Sequence, residues 1–322
     1  MWNLELGIRR HAAAVSRPRS LIPNSKFQIP NSVTLPPRRT YSLSLPSGAL
    51  ELGGRCLVMG ILNVTPDSFA ERSRLTDAGA AVAAAEEMEA QGADLIDIGG
   101  ESTRPGADAV SSDEEIARAL PVVRAAAARL RIPLSIDTRK SAVAEAALDA
   151  GAVIVNDVSA LTYDPALARV VAGRAAALIL MHSRGDPTSM GERAVYNDLI
   201  SEIVGELQDA MGVATRAGVS TDRILVDPGI GFAKRPSHSY GVLARLPEIA
   251  APLDRPLVVG PSRKSFLREA AGDRPASERD WATAAAVTTA VLFGAHIVRV
   301  HAVGEMVQVV RAAEAIRNGG HG

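Results

Sequence analysis

Cysteine is nearly absent: Cys56 is the single one in 322 residues, which excludes an internal disulfide and a multi-cysteine metal site and fits a reducing cytosol. A lone thiol in the apolar run CLVMG is expected to be buried in the core. Net charge is nearly absent too. At −1 formally, the chain has no overall field to draw it to nucleic acid or a membrane, so any anion it binds must be met by a local cluster of Arg, Lys or His. No apolar run reads as a membrane span. The longest uncharged stretch, WATAAAVTTAVLFGAHIV at 281–298, falls short of the ~20 residues needed, and Gly294 divides it into a helix and a short β-branched strand. HExxH, GxSxG, GxGxxG and CxxC do not occur, which argues against zinc hydrolysis, serine hydrolysis and dinucleotide redox chemistry. Acids are nearly missing from the first 50 residues, where Glu5 stands alone against Arg9, Arg10, Arg17, Arg19, Lys26, Arg38 and Arg39. With no secretory pattern there, residues 1–54 are expected to form a basic, Ser- and Pro-containing extension without structure, and 319–322 a Gly-rich tail.

What is present from residue 55 on is a repeating unit: a short β-branched run, a cluster of turn-forming polar residues, then an Ala-rich segment with helical spacing. The runs are CLVMGILNV (56–64), DLIDIGG (94–100), PLSIDT (133–138), VIVNDV (153–158), ALILMHS (177–183), ILVDPG (224–229), LVVGPS (257–262) and HIVRVH (296–301). Helices are expected near 76–91, 113–130, 139–150, 164–173, 197–217, 238–249, 279–293 and 303–317. Alternating strands and helices make right-handed βαβ units on a parallel sheet. Eight such units between residues 55 and 318 match a (β/α)₈ TIM barrel, for which about 250 residues is typical. An open doubly wound sheet is the alternative, but it needs no polar residue at every strand exit. Here all eight exits are polar: Asn63, Asp97, Asp137, Asn156 with Asp157, His182, Asp227, Ser262 with Lys264, and Arg299 with His301. In a barrel these converge on the rim that carries the active site.

Three rim segments are dense in donors. DIGGESTRPGA (97–107) presents Ser102, Thr103 and Arg104 ahead of a Pro105-Gly106 turn. GPSRKS (260–265) follows the seventh strand, where barrels often bind phosphate. NVTPDSF (63–69) starts a loop able to cover the mouth. Asp137 and Asp227 suit the paired N–H groups of a guanidine-like heterocycle, and Arg104, Lys264, Arg299 and His301 suit an anion of phosphate type.

In these residues the chain resembles dihydropteroate synthases, pterin-binding enzymes of folate biosynthesis. The matching stretches, in order, are GILNVTPDSF (60–69), DIGGESTRPGA (97–107), SIDTRK (135–140), VNDVSAL (155–161), LMHSRGDP (180–187), DPGIGFAK (227–234), GPSRKSF (260–266) and VRVH (298–301). The resemblance implies a homodimeric, cytoplasmic TIM-barrel transferase that joins 6-hydroxymethyl-7,8-dihydropterin diphosphate to 4-aminobenzoate, releasing diphosphate. It implies that Asp137, Asn156, Asp227 and Lys264 hold the pterin with Met181 against its face. Thr103, Arg104, Pro105 and Ser262 would shape the aminobenzoate and diphosphate sites, and Asn63, Arg299 and His301 would hold the diphosphate, with Asn63 also on Mg²⁺. No nucleic acid or membrane partner is implied. Barrels that bind methyltetrahydrofolate and move a one-carbon unit share the pterin-reading carboxylates and are the alternative enzyme. A non-catalytic pterin-binding homologue is a third reading, motivated by departures from the family pattern. Ala70-Glu71-Arg72-Ser73 replaces Ser-Asp-Gly-Gly, Ala233 stands where Gly is usual, and Ala302 stands where many relatives carry an Asp able to orient His301.

Overall fold

The computed structural model describes residues 35–64, 74–102, 107, 109–186 and 188–319, with the backbone alone for 74–77. Thr103, Arg104, Pro105 and the loop 65–73 lie outside the described residues. The strands are β1 (Tyr41–Leu45), β2 (Gly48–Leu52), β3 (Leu57–Asn63), β4 (Leu95–Gly99), β5 (Leu134–Asp137), β6 (Ile154–Asp157), β7 (Ala177–Met181), β8 (Ile224–Asp227), β9 (Val258–Val259) and β10 (Ile297–Val300). The helices are α1 (Arg74–Ala90), α2 (Ser112–Ala127), α3 (Ser141–Asp149), α4 (Leu167–Gly173), α5 (Leu199–Arg216), α6 (Pro236–Ala244), α7 (Leu246–Leu253), α8 (Arg268–Ala271), α9 (Asp280–Leu292) and α10 (Val303–Gly319).

Strands β3 to β10 are the eight expected, all parallel, in the order β8-β7-β6-β5-β4-β3-β10-β9. A parallel bridge from Val226 to Leu257 brings β8 beside the start of β9 and all but closes the ring. The period-two alternation of each strand sorts its side chains into two cores. Val58, Ile96, Ile136, Val155, Leu178, Val226 and Val298 point outward into a cluster shared with the helices. Met59, Leu95, Ile154, Ile179, Leu225, Val258 and Ile297 point inward and form a second cluster.

That inner cluster also contains Leu43 and Leu52, each 1% exposed, and here the structure corrects the expectation of an unstructured extension for residues 41–52, while residues 1–34 lie outside the described residues. Residues 41–52 form an antiparallel hairpin in the register Tyr41↔Leu52 to Leu45↔Gly48, set across the end of the barrel where the strands begin. The hairpin needs no core of its own, because YSLSL and GALEL alternate Leu with polar residues and lend their apolar face to the barrel. Its basic flank is neutralised: Arg38 pairs with Glu314 at 2.7 Å and Arg39 with Asp254 at 2.6 Å.

A second correction concerns the helix expected over 238–249, which is two helices hinged at Arg245. Pro247, in the first turn of α7, lacks the N–H that a continuous helix would use. Cys56 is fully buried, as expected, and burial pushes its thiol up to about 12. Among the described residues, no helix is long and apolar enough to cross a membrane.

Candidate active site

The alternation that fills one end of the lumen with Leu and Ile delivers charge at the other. Strand register aligns Asn63 with Gly99, Gly99 with Asp137 and Asp137 with Asn156 in one layer. Met181 sits beside Asp227. Arg299 enters from β10 and packs beside Gly260, where a Cβ would lie at ordinary contact distance, 3.7 Å from Arg299 Cβ and 3.8 Å from Asp227 Oδ2. Asp137, Asn156, Met181 and Asp227 are all buried.

Arg299 organises this layer. Its Nε donates to Asp97 Oδ2 and its Nη2 to Asp137 Oδ2, both at 2.6 Å. Asn156 Nδ2 donates to the same Asp97 Oδ2 at 2.9 Å. The other oxygens, Asp97 Oδ1 and Asp137 Oδ1, are buried with no hydrogen-bond partner among the described residues. Burial, reinforced by Asp97, Glu115 and Asp157 and opposed by Arg299, pushes the Asp137 carboxyl up to about 7. Asp227 is raised by burial as well, against Lys264 and the Gly229 N–H that donates to its Oδ1 at 2.7 Å. Gly229 is required there: at φ +67° a Cβ would stand 1.8 Å from the His182 carbonyl oxygen.

Lys264 reaches into the site from the loop after β9. Its ammonium donates to the Ile230 carbonyl, lies 4.2 Å over the Phe232 ring and is pushed down to about 7 by burial, against the pull of Asp227. On the rim, Ser262 Oγ lies 2.9 Å from His301 Nδ1 and accepts the His301 backbone N–H at 3.2 Å. This contact gives the imidazole the orientation that no acid at position 302 supplies. Asn63, Asp137, Asn156, Met181, Asp227, Ser262, Lys264, Arg299 and His301 therefore gather at the strands' C-terminal end, and Arg299 has two of its three nitrogens committed to carboxylates.

Three groups at this end had no role assigned from the sequence. Asp97 was visible as a polar strand exit, but its partnership with Arg299 and Asn156 spans distant strands. Lys234, in DPGIGFAK, is buried with its Nζ 2.8 Å from His182 Nδ1. Burial pushes Lys234 down to about 7 and His182 down to about 4. The His182 Nε2 side lies 3.1 Å from Glu206 Oε2 on α5. Phe232 joins Arg139, Tyr163, Arg184 and Asp186 around a cavity of about 840 Å³ beside the lumen, within the size range of small-molecule sites. The Ala at 233 has φ +44°, a left-handed conformation that suits the usual glycine better.

Residues 59–301 match the family model described as "Pterin binding enzyme". The chain is 44% identical over 274 residues to the dihydropteroate synthase of Synechocystis sp., covering 84% of this chain and 94% of that one. It is 39% identical over 282 residues to the Bacillus subtilis dihydropteroate synthase, covering 88% and 96%. A solved structure of Xanthomonas albilineans dihydropteroate synthase with 4-aminobenzoic acid superposes with a TM-score of 0.80 at 37% identity, covering 87% of this chain and 99% of that one. With its barrel, its charged lumen and relatives matched over nearly their whole length, the chain belongs to the dihydropteroate synthase family, transferases of folate biosynthesis.

Proposed function

We propose that the chain condenses 6-hydroxymethyl-7,8-dihydropterin diphosphate with 4-aminobenzoate to give 7,8-dihydropteroate and diphosphate. The observation that carries this reading is the pair of buried oxygens, Asp97 Oδ1 and Asp137 Oδ1, that have no partner among the described residues, in a lumen shared with Asn156 and Asp227. An unpaired buried polar atom costs about 1–3 kcal/mol. The N–H-rich edge of a pterin, which presents a guanidine-like set of donors, removes that cost on binding. Lys264, above Phe232, donates to the ring from the side, and Met181 offers a polarisable surface against its face.

The reaction breaks the bond between the exocyclic methylene and a diphosphate oxygen while the aminobenzoate nitrogen supplies its lone pair to that carbon. The leaving oxygen takes the bonding electrons, and the nitrogen sheds one proton afterwards. Arg299 and His301 stand on the side where leaving-group charge builds and lower the barrier by meeting it. Ser262 holds the imidazole in place through its 2.9 Å contact. No covalent intermediate is needed.

Among the described residues, no three His, Cys, Asp or Glu side chains are grouped to hold a metal ion. Mg²⁺ does not require such a cage, since it keeps waters and shares substrate phosphates with one or two protein oxygens. The half-buried Asn63 amide at the end of β3 fits that donor set. When bound there with the diphosphate, Mg²⁺ would neutralise leaving-group charge. The reading includes a homodimer working in the cytosol on small molecules alone. Steady-state formation of dihydropteroate from the two substrates with Mg²⁺ is the test: turnover saturable in both is expected, and folded protein that binds pterin but makes no product contradicts it.

A further inference from the structure

The turn that follows β8 runs against backbone preference. Gly229, Gly231 and Ala233 have φ of +67°, +80° and +44°, so alternate residues from 229 to 233 are left-handed. Glycine adopts this conformation freely, which means that it does not enforce it, and Ala233 adopts it at a cost, so the turn persists only where neighbours fix it. Three of its carbonyls are each held by a side-chain donor. Lys264 Nζ donates to Ile230, Tyr196 Oη to Ala233 at 2.9 Å, and Lys234 Nζ to Phe232 at 3.2 Å. Lys264 crosses the turn so closely that a Cβ on Gly231 would meet its Cδ at 2.8 Å.

Lys234 is the donor whose presence needs explaining. It is 9% exposed, its Nζ contacts are the Phe232 carbonyl and His182 Nδ1 at 2.8 Å, and among the described residues no carboxylate forms an ion pair with it. Burial pushes the amine down to about 7. A buried amine without an ion pair is costly, and a Met of similar length would fill the space without that cost, so stability does not account for the lysine. What its contacts supply is geometry. His182 directly follows Met181, the last residue of β7, and its backbone N–H donates to the Asp227 carbonyl at 2.9 Å. Glu206 Oε2 on α5 lies 3.1 Å from the other ring nitrogen, and the Tyr196 ring packs 6.2 Å away, centroid to centroid. The Lys234–His182 contact therefore ties the turn after β8 to the exit of β7. Met181 and Asp227 are register partners across these two strands, so one contact fixes the turn relative to both.

We propose, resting on the roles given above to Met181, Asp227 and Lys264, that Lys234 is a positioning residue: through His182 and the Phe232 carbonyl it locks the turn 229–233 against the exit of β7 and so holds Phe232 and Ile230 where Lys264 must sit to reach the pterin. Lys264 carries its charge on a flexible four-carbon stem with no direction of its own. The Phe232 ring, 4.2 Å from its Nζ, and the Ile230 carbonyl give it one. Without Lys234 the turn is free to leave its left-handed backbone, and the support of Lys264 moves with it.

The test uses the full chain with Lys234→Met, Lys234→Gln and His182→Phe. The Met variant removes the donor at nearly constant volume, and the Gln variant keeps an N–H donor. His182→Phe removes the other end of the contact with Lys234 in place, which keeps the measurement open if Lys234→Met does not fold. In Lys234→Met and His182→Phe, Kd for 6-hydroxymethylpterin, a pterin without the diphosphate, is expected to rise about tenfold. KM for the pterin diphosphate should rise in step, with kcat changing far less, as for a contact that serves ground state and transition state alike. Amide exchange at Phe232, whose N–H donates to the Gly229 carbonyl at 3.0 Å, should accelerate in the same variants. Lys234→Gln is expected to recover much of both losses. Parental pterin binding in a folded Lys234→Met or His182→Phe variant overturns the proposal, whatever the stability of that variant. So does a Gln variant that binds pterin no better than the Met variant. If the parent binds pterin but makes no dihydropteroate, the proposed function fails, and the same Kd series still decides the role of Lys234.

Discussion

The two ends of the barrel are made by the same strands with the same alternation, yet they bury opposite things. Where the strands begin, Met59, Ile154 and Ile297 meet Leu43 and Leu52 of the hairpin in a dry cluster. Where they end, Asp97, Asp137, Asn156, Asp227 and Arg299 share the lumen, and two carboxylate oxygens have no partner among the described residues. The apolar end satisfies itself on folding. Among the described residues the polar end does not, and an enclosed group of carboxylates left incompletely paired is a group arranged for a ligand.

The contrast is broken most severely at Arg299. Arg299→Ala strands Asp97 and Asp137 without their common cation, and about 3 kcal/mol of transition-state stabilisation should go with it, a hundredfold or more in kcat/KM. Unchanged turnover in steady-state assays would separate Arg299 from the chemistry. At the other end, Leu52→Ala should lower stability by ~2–5 kcal/mol through the cavity it leaves. Urea unfolding should show that loss with kcat intact, and a fallen kcat at parental stability would mean that the hairpin reaches the site.

Lys234 gives a pH-dependent version of the same contrast. Its folded-state value is depressed to about 7, with Asp227, Lys264, Glu206, Arg184 and His182 around it, while an unfolded lysine titrates near ~10.4. Between those values the unfolded chain holds a proton that the folded protein has given up, so this group makes stability rise with pH across that window. Lys234→Met should flatten the rise in urea midpoint from pH 7 to 10, and an unaltered slope would show that the lysine titrates normally. The smallest effect is expected at Ala233. Ala233→Gly relieves a left-handed backbone at φ +44° and should add roughly 1 kcal/mol of stability.

The eight barrel strands and their polar exits were legible because strand period and turn chemistry are local properties. The split at Arg245 was legible in principle from Pro247, but the apolar pattern of 238–249 runs through it. The hairpin was hidden by composition: an Arg-rich stretch reads as solvated, and the Ser/Leu alternation of 41–52 has meaning only once a barrel end needs covering. Within the site, the residue types were visible and their pairings were not. Arg299 reads as an anion ligand in VRVH, and its ion pairs with Asp97 and Asp137 join positions about 200 and 160 residues away. The ion pairs of Lys140 with Glu101 and Glu115 were hidden for the same reason, since these residues meet only through folding.

The most direct measurement is a structure of the protein with pterin diphosphate, an aminobenzoate analogue and Mg²⁺ bound together. The pterin edge is expected on Asp137, Asn156 and Asp227 with Lys264 beside it, Met181 under its face, and the diphosphate toward Arg299 and His301. A pterin seated outside the lumen, in the cavity lined by Arg139, Tyr163 and Arg184, would contradict it.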